Sequence, residues 1–157
     1  PPDAEPLDEV LEAIDKADVI VIGPGSVFTS IIPNLLVNGL ANALYKSKAR
    51  KVYICNVMTQ PGETDSMTAS QHLKAIEAHL ARPVVDYMLL NTERPSSELL
   101  DKYRQTSAEL VEPDTDCIRK AGCKAITGNF ISQTDVVRHD PGKLAEAIMR
   151  LVVRSTR

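Results

Sequence analysis

The sequence has no apolar run approaching about 18 residues, so no membrane-spanning helix is expected. Nothing near its start combines a basic stretch, an apolar stretch and a small-residue cleavage site, so no signal peptide is expected either. Positive charge is not in excess: net charge is −3, with 25% of residues charged and 43% hydrophobic. A nucleic-acid binder usually shows a basic face, so this mild acidity argues against that class. Cysteine is scarce: only Cys55, Cys117 and Cys123 occur. The odd count fits a reducing cytosol rather than a disulfide framework. Cys117 and Cys123 do not stand at a usual zinc spacing. A catalytic triad is missing too. Ser26 has no base at a recognisable spacing, and Cys55 falls in an apolar strand pattern rather than at a helix start. Serine- and cysteine-type hydrolases are therefore disfavoured. The chain begins Pro1-Pro2 without an initiator Met, so it is expected to be part of something longer.

What is present is enough for one domain over residues 1–157, since a chain of this length buries roughly 68–70% of its unfolded surface. Leu7, Val10, Leu11 and Ile14 follow helical spacing and predict an amphipathic helix. Val19-Ile20-Val21-Ile22 is β-branched throughout and reads as a strand buried on both faces. Residues 26–36 are predicted partly helical, with Pro33 opening or kinking a turn. Asn38 is the expected N-cap of a helix over 39–46. Residues 51–55 (KVYIC) and 84–90 predict further strands. Thr68 caps a helix running to about residue 80, and Ser96 or Ser97 caps one over 98–104. Residues 110–111 and 125–127 are weaker strand candidates. Asp140 and Pro141 open a last helix as cap and first residue. Strands alternating with helices predict an α/β fold: a Rossmann-like three-layer sandwich with a mostly parallel sheet. In such sheets every strand ends on the same edge, and ligands bind outside those ends.

The three best strands run into GPGSVFTS, NVMTQPGETD and NTERP, so three polar loops are expected on that edge. Gly23, Pro24, Gly25 and Ser26, with Thr29, Ser30 and Asn34, offer backbone N–H groups and hydroxyls that suit a phosphate or pyrophosphate. No Lys-Ser/Thr follows, so this is not a Walker loop, and G-x-G-x-x-G is not matched. An ordinary tight turn with glycines at positive φ is the alternative. Asn56, Thr59, Gln60, Glu63, Thr64 and Asp65 suit ribose or sugar hydroxyls, or a metal-bridged phosphate; a solvated loop is the alternative. Arg138 is placed to clamp a phosphate, or is a plain surface charge beside the Asp140 cap. His72 falls in the first turn of its helix near the Glu63 loop. Tyr103 either stacks on a base or is a half-buried core residue.

ADVIVIGPGSVFTSIIPNLLV, KVYICNVMTQPGETD, the later His72 and RHDP near the end together resemble the CofD-like family. That family includes the 2-phospho-L-lactate transferases of deazaflavin cofactor synthesis and bacterial gluconeogenesis factors of the YvcK type. The resemblance runs over essentially the whole chain and points to the second branch. It implies the C-terminal part of a larger Rossmann-like fold. It also implies a cytoplasmic, UDP-sugar-binding regulatory factor that supports cell shape and cell-wall synthesis during gluconeogenic growth. In that reading His72, Tyr103 and Arg138 join the two Gly-containing loops at a nucleotide-sugar site. The transferase branch implies instead a divalent metal, with Glu63, Asp65 or Asp140 as magnesium carriers. Two departures stand out. The family's N-terminal half, with its own Gly-rich nucleotide loop, is absent. Ser66-Met67-Thr68 stands where the family tends to run Gly-Tyr-Ser. Without that half a sheet edge would be exposed, which predicts homo-oligomers.

Overall fold

Four strands lie side by side and all parallel: β1 (Val19–Ile22), β2 (Arg50–Ile54), β3 (Tyr87–Asn91) and β4 (Lys124–Gly128). The computed structural model describes residues 3–80, 82–133 and 136–153. Their order in the sheet is their order in the chain. Right-handed crossovers then bring a helix of each connection onto one face. That face carries α3 (Leu40–Lys46), α4 (Ala69–Ala78) and α6 (Thr115–Lys120), whose Leu44, Leu73, Ile76 and Ile118 pack on Ile22, Tyr53 and Met88. α1 (Asp8–Lys16) joins the same face beside α3 through Ile14. The opposite face takes α7 (Pro141–Val153), whose Leu144 and Leu151 meet Val52, Ile54 and Leu89. The alternation along β2 therefore splits its residues between two cores, which is the three-layer arrangement the pattern predicts. Each fully buried aliphatic side chain there contributes about 1.5–3 kcal/mol. No single helix among the described residues is long and apolar enough to cross a membrane.

Several expectations are corrected. β1 is an edge strand and not buried on both faces: Val21 is 41% exposed. The third strand starts at Tyr87 rather than at residue 84. Lys51 N–H donates to the Asp86 carboxylate at 2.8 Å, so regular pairing begins one residue later, while Val84 and Val85 are buried just outside the sheet. Gly39, not Asn38, occupies the cap position of α3, at φ +78°, and the Asn38 amide donates to Glu5 instead. Residues 110–111 form no strand. Leu110 makes a single antiparallel bridge to Met58, and Val111 N–H donates to the Val57 carbonyl. The six-residue α6 carries no foreseen pattern because it is under two turns long.

A π-helical segment, Val27–Ile31, runs into α2 (Ile32–Leu35), with Pro33 in the first turn. α5 (Ser97–Gln105) is capped by Ser96, whose Oγ accepts the Leu99 N–H. β5 (Ile131–Gln133) and β6 (Val137–His139) form an antiparallel pair, and Asp140 caps α7 by accepting the Lys143 N–H at 3.0 Å.

The start of α4 is held from a distance in sequence. Asp114 accepts Thr68 Oγ1 at 2.9 Å, Ser70 N–H at 2.8 Å and Ser70 Oγ at 2.5 Å. Gln71 Oε1 accepts Thr68 N–H at 2.8 Å. Burial pushes the Asp114 carboxyl up, but the hydrogen bonds from Ser70 and Thr68 outweigh it and hold the pKa below 3.8. A depressed carboxyl pKa stabilises the fold above the unfolded value and loses that contribution as pH falls through the folded one. Asp114→Ala is expected to cost about 1.5–3 kcal/mol in urea denaturation at pH 7, with the difference from the parent shrinking as pH drops below about 4. A pH-independent difference would contradict the role of the charge.

Candidate functional site

Because all four strands are parallel, the loops after β1, β2 and β3 open on one edge, as the pattern predicts. The first loop needs its glycine. Gly23 has φ +83°, and a Cβ there would meet Ile54 O at 3.2 Å and Ile31 Cδ1 at 3.3 Å. The Gly23-Pro24 peptide is cis. Ser26 then caps the π-helical segment, its Oγ accepting Thr29 N–H at 3.2 Å and Thr29 Oγ1 at 2.6 Å. The same Ser26 hydroxyl donates to the Glu63 carboxylate and so joins the first loop to the second. Asn34 donates to the Ser30 carbonyl at 2.6 Å, and Ser30 and Asn34 line the outer side of this corner with Gly23, Pro24 and Gly25.

The second loop divides its polar groups between itself and the edge. Thr64 is fully buried, and its Oγ1 accepts Gln60 N–H at 2.8 Å. Thr59 is buried as well, exchanging bonds with Glu109: N–H to carbonyl at 2.7 Å, and Glu109 N–H to Thr59 Oγ1 at 2.9 Å. These two hydroxyls therefore hold the loop's shape. Asn56 and Gln60 meet weakly, Nδ2 to Oε1 at 3.5 Å, and remain partly open with Glu63.

Between the ends of β2 and β3 lies a cavity of about 360 Å³, within the range of small-molecule sites. Cys55, Asn56, Asn91, Thr92, Glu93 and Arg94 line one side of it. Asn91 is fixed by two bonds: its Nδ2 donates to Glu93 O at 2.7 Å and its Oδ1 accepts Phe130 N–H at 3.1 Å. Arg94 is exposed and forms no ion pair among the described residues. It is the one cation in the three loops, and that rarity is the sequence signal that singles it out. Burial pushes the Cys55 thiol up to about 12, so this cysteine offers no thiolate at neutral pH.

The remaining candidates are spread around this edge and do not share one cavity. Arg138 is exposed on β6. Tyr103 ties α5 to that strand: its hydroxyl accepts Val137 N–H at 3.1 Å and donates to Val137 O at 3.5 Å. The neighbour His139 turns the other way, and its Nε2 donates to the Cys55 carbonyl at 3.2 Å. Alternation along a strand is the signal for this residue, which the RHDP motif hides behind Arg138. His72 is fully buried under α4. Its Nδ1 donates to Thr68 O at 2.8 Å, and Nε2 has no hydrogen-bond partner among the described residues. The three acids considered for magnesium go to separate places: Glu63 to Ser26, Asp65 to Gly62 N–H at 2.8 Å, and Asp140 to Lys143 N–H. No three His, Cys, Asp or Glu side chains converge among the described residues.

The family model described as 2-phospho-L-lactate transferase CofD matches residues 1–131. The gluconeogenesis factor of Halalkalibacterium halodurans is 51% identical over 150 residues, which is 95% of this chain and 47% of that protein. The gluconeogenesis factor of Bacillus subtilis is 42% identical over 153 residues, 97% of this chain and 48% of that protein. A crystal structure of a UPF0052 family member from Bacillus halodurans superposes with a TM-score of 0.92 at 51% identity, over 95% of this chain and 48% of that one. The chain thus spans about half the length of the curated relatives it matches.

Two outcomes are expected from this geometry. Glu63→Ala removes the acceptor of Ser26, so amide hydrogen exchange at Thr29 and Ser30 should accelerate, with global stability changed by about 1 kcal/mol or less. Unchanged exchange there would mean the loops are not coupled. Burial lowers the pKa of both His72 and His139 below 6.5, partly offset by their carbonyl partners. Their neutral rings stabilise the fold above 6.5, and that contribution is lost as pH falls. NMR titration of the ring protons should give both midpoints below 6.5; a higher midpoint for either ring contradicts the assignment.

Proposed function

The chain belongs to the CofD family, and on that premise we propose that it is the C-terminal part of a nucleotide-sugar-binding gluconeogenesis factor. In this reading the protein works in the cytoplasm, binds a UDP-sugar, and supports cell shape and cell-wall synthesis during gluconeogenic growth. The observation that supports it best is the Ser26–Glu63 hydrogen bond, which couples the glycine corner to the polar loop beside it. Gly23, Gly25 and Ser26, with Thr29 and Ser30, would take the pyrophosphate through backbone N–H groups and hydroxyls. Asn56, Gln60 and Glu63 would take sugar or ribose hydroxyls. Arg94 and Arg138, both exposed, would neutralise phosphate charge.

The sheet edge supports a role for a further half. A strand order that follows the chain order contains no reversal, and ligand crevices in open α/β sheets form where the order reverses. A reversal at this sheet would have to lie beyond β1, on the side where Gly23–Gly25 sits. A groove of about 440 Å³ runs there, lined by Val10, Ile14, Val21, Leu40 and Leu44 among others. The part of the relatives' length that this chain lacks would supply the neighbouring strand; without it, a second copy of the chain would pair there.

The family model's own description, 2-phospho-L-lactate transferase, favours a second reading, transfer of a phospho-lactyl group; in that reading the acceptor would be a deazaflavin and a divalent metal would take part. Glu63, Asp65 and Asp140 hold separate partners and do not converge among the described residues, so no step is assigned to the metal.

Calorimetry on the full-length protein separates the readings. UDP-glucose or UDP-N-acetylglucosamine should bind, and Arg138→Ala or Arg94→Ala should weaken binding by about tenfold, equal to about 1.4 kcal/mol. No heat with either ligand, or unchanged affinity in both variants, counts against the binding reading. Deazaflavin turnover with both transferase substrates and magnesium would favour the second. The chain alone should be oligomeric by light scattering at high concentration; a monomer would contradict pairing at β1.

A further inference from the structure

The opposite edge of the sheet, at the strands' amino-terminal ends, carries a feature unrelated to the polar loops. The chain crowds four cations into residues 46–51, KSKARK, although its net charge is −3. Arg50 and Lys51 begin β2, and Lys124 begins β4. With Lys48, Asp86 and Tyr87 they line a cleft of about 290 Å³. Tyr87 and Lys124 are direct partners in register. The Lys124 ammonium stands 5.2 Å from the Tyr87 ring centroid and the Arg50 guanidinium 5.9 Å from it.

The charges here do not cancel. Among the described residues Asp86 is the one carboxylate lining the cleft, and its Oδ2 already accepts Lys51 N–H at 2.8 Å while lying 3.7 Å from Lys51 Nζ. Lys51 is buried and donates to the carbonyls of Ala49 at 2.9 Å and Ser47 at 3.1 Å, so it helps to shape the wall. Arg50 donates to the Leu151 carbonyl near the end of α7. Lys48 and Lys124 are exposed, and their ammonium groups form no hydrogen bond or ion pair among the described residues. Four cations facing one carboxylate leave a net +3 at one cleft. Like charges held around one ring repel, and a cleft with low-dielectric walls focuses the resulting positive potential. An anion with several acceptor oxygens relieves that repulsion and offers partners to the free ammonium groups. The planar fork of Arg50 and the point charges of Lys48 and Lys124 both suit phosphate oxygens.

We propose that this cleft binds the phosphate group of a small soluble molecule, at a site on the sheet edge opposite the glycine corner. Lys48 and Lys124 supply the ammonium groups that meet the phosphate oxygens, Arg50 and Lys51 add fixed charge, and Tyr87 is the surface against which Arg50 and Lys124 lie.

NMR titration of the full chain with inorganic phosphate, against chloride at matched low ionic strength, tests this. Saturable shifts are expected at the Gly122 amide and the Tyr87 ring, because both residues line the cleft. The Lys48→Ala, Lys124→Ala double variant should bind about tenfold more weakly or worse, with an otherwise unchanged spectrum. Shifts confined to residues 23–30, no saturable shift, or equal affinity in the double variant would overturn the proposal. A second arm uses phosphatidylcholine vesicles containing phosphatidic acid. Binding to these without a response to inorganic phosphate would assign the group to a lipid headgroup and overturn the soluble ligand.

Discussion

A single chirality constraint organises this molecule. Two parallel neighbours in one sheet must be joined by a crossover, and the twist of an L-amino-acid strand makes that crossover right-handed. Four strands added in chain order then place α3, α4 and α6 on the same face. α7 is left to cover the other. The same constraint gathers all the strand ends on one edge, so polar loops more than thirty residues apart in sequence become neighbours. It also leaves β1 with one partner, which is why Val21 meets solvent although its sequence context is apolar.

Within that frame the loops first satisfy themselves. A buried hydroxyl or amide without a partner is costly, so the side chains closest to the core are committed to backbone groups before any ligand arrives. Thr59, Thr64 and Asn91 are of this kind. Ser26 is different because it accepts from Thr29 and donates to Glu63, linking two loops through one hydroxyl. What stays available at the edge is a short set: the glycine corner, Asn56, Gln60 and the two exposed arginines. Asp114 plays the corresponding part further back, fixing the start of α4 and hence the wall of the cavity that Ala69 contributes.

The two sheet edges differ in electrostatic character. The carboxyl edge mixes amides, hydroxyls and one acid-tethered serine, with its cations at the rim. The amino edge concentrates positive charge around Tyr87 in a protein that is acidic overall. Neither property follows from net charge, because clefts sample local charge arrangement and not the sum.

Much of the fold was legible in the chain because its signals are local. The β-branched run Val19–Ile22, the Thr68 and Ser96 caps and the Asp140-Pro141 start are decided by residues a few positions apart, and each was found where the pattern put it. The three polar loops on one edge were also readable, because strand–helix alternation dictates parallel strands. Tertiary structure decided the rest. Val21 is exposed because β1 lies at the edge of the sheet, which no residue of its own segment decides. Asn38 lost its cap role to Gly39 because Glu5 offered its amide a partner thirty-three residues away. Tyr103, a candidate to stack on a base, meets the Val137 backbone because α5 packs against β6. His139 rather than Arg138 reaches Cys55 because the hairpin's pleat turns alternate side chains inward. Local sequence sets backbone preference and polarity, whereas partners distant in the chain settle which polar group faces a ligand and which is already satisfied.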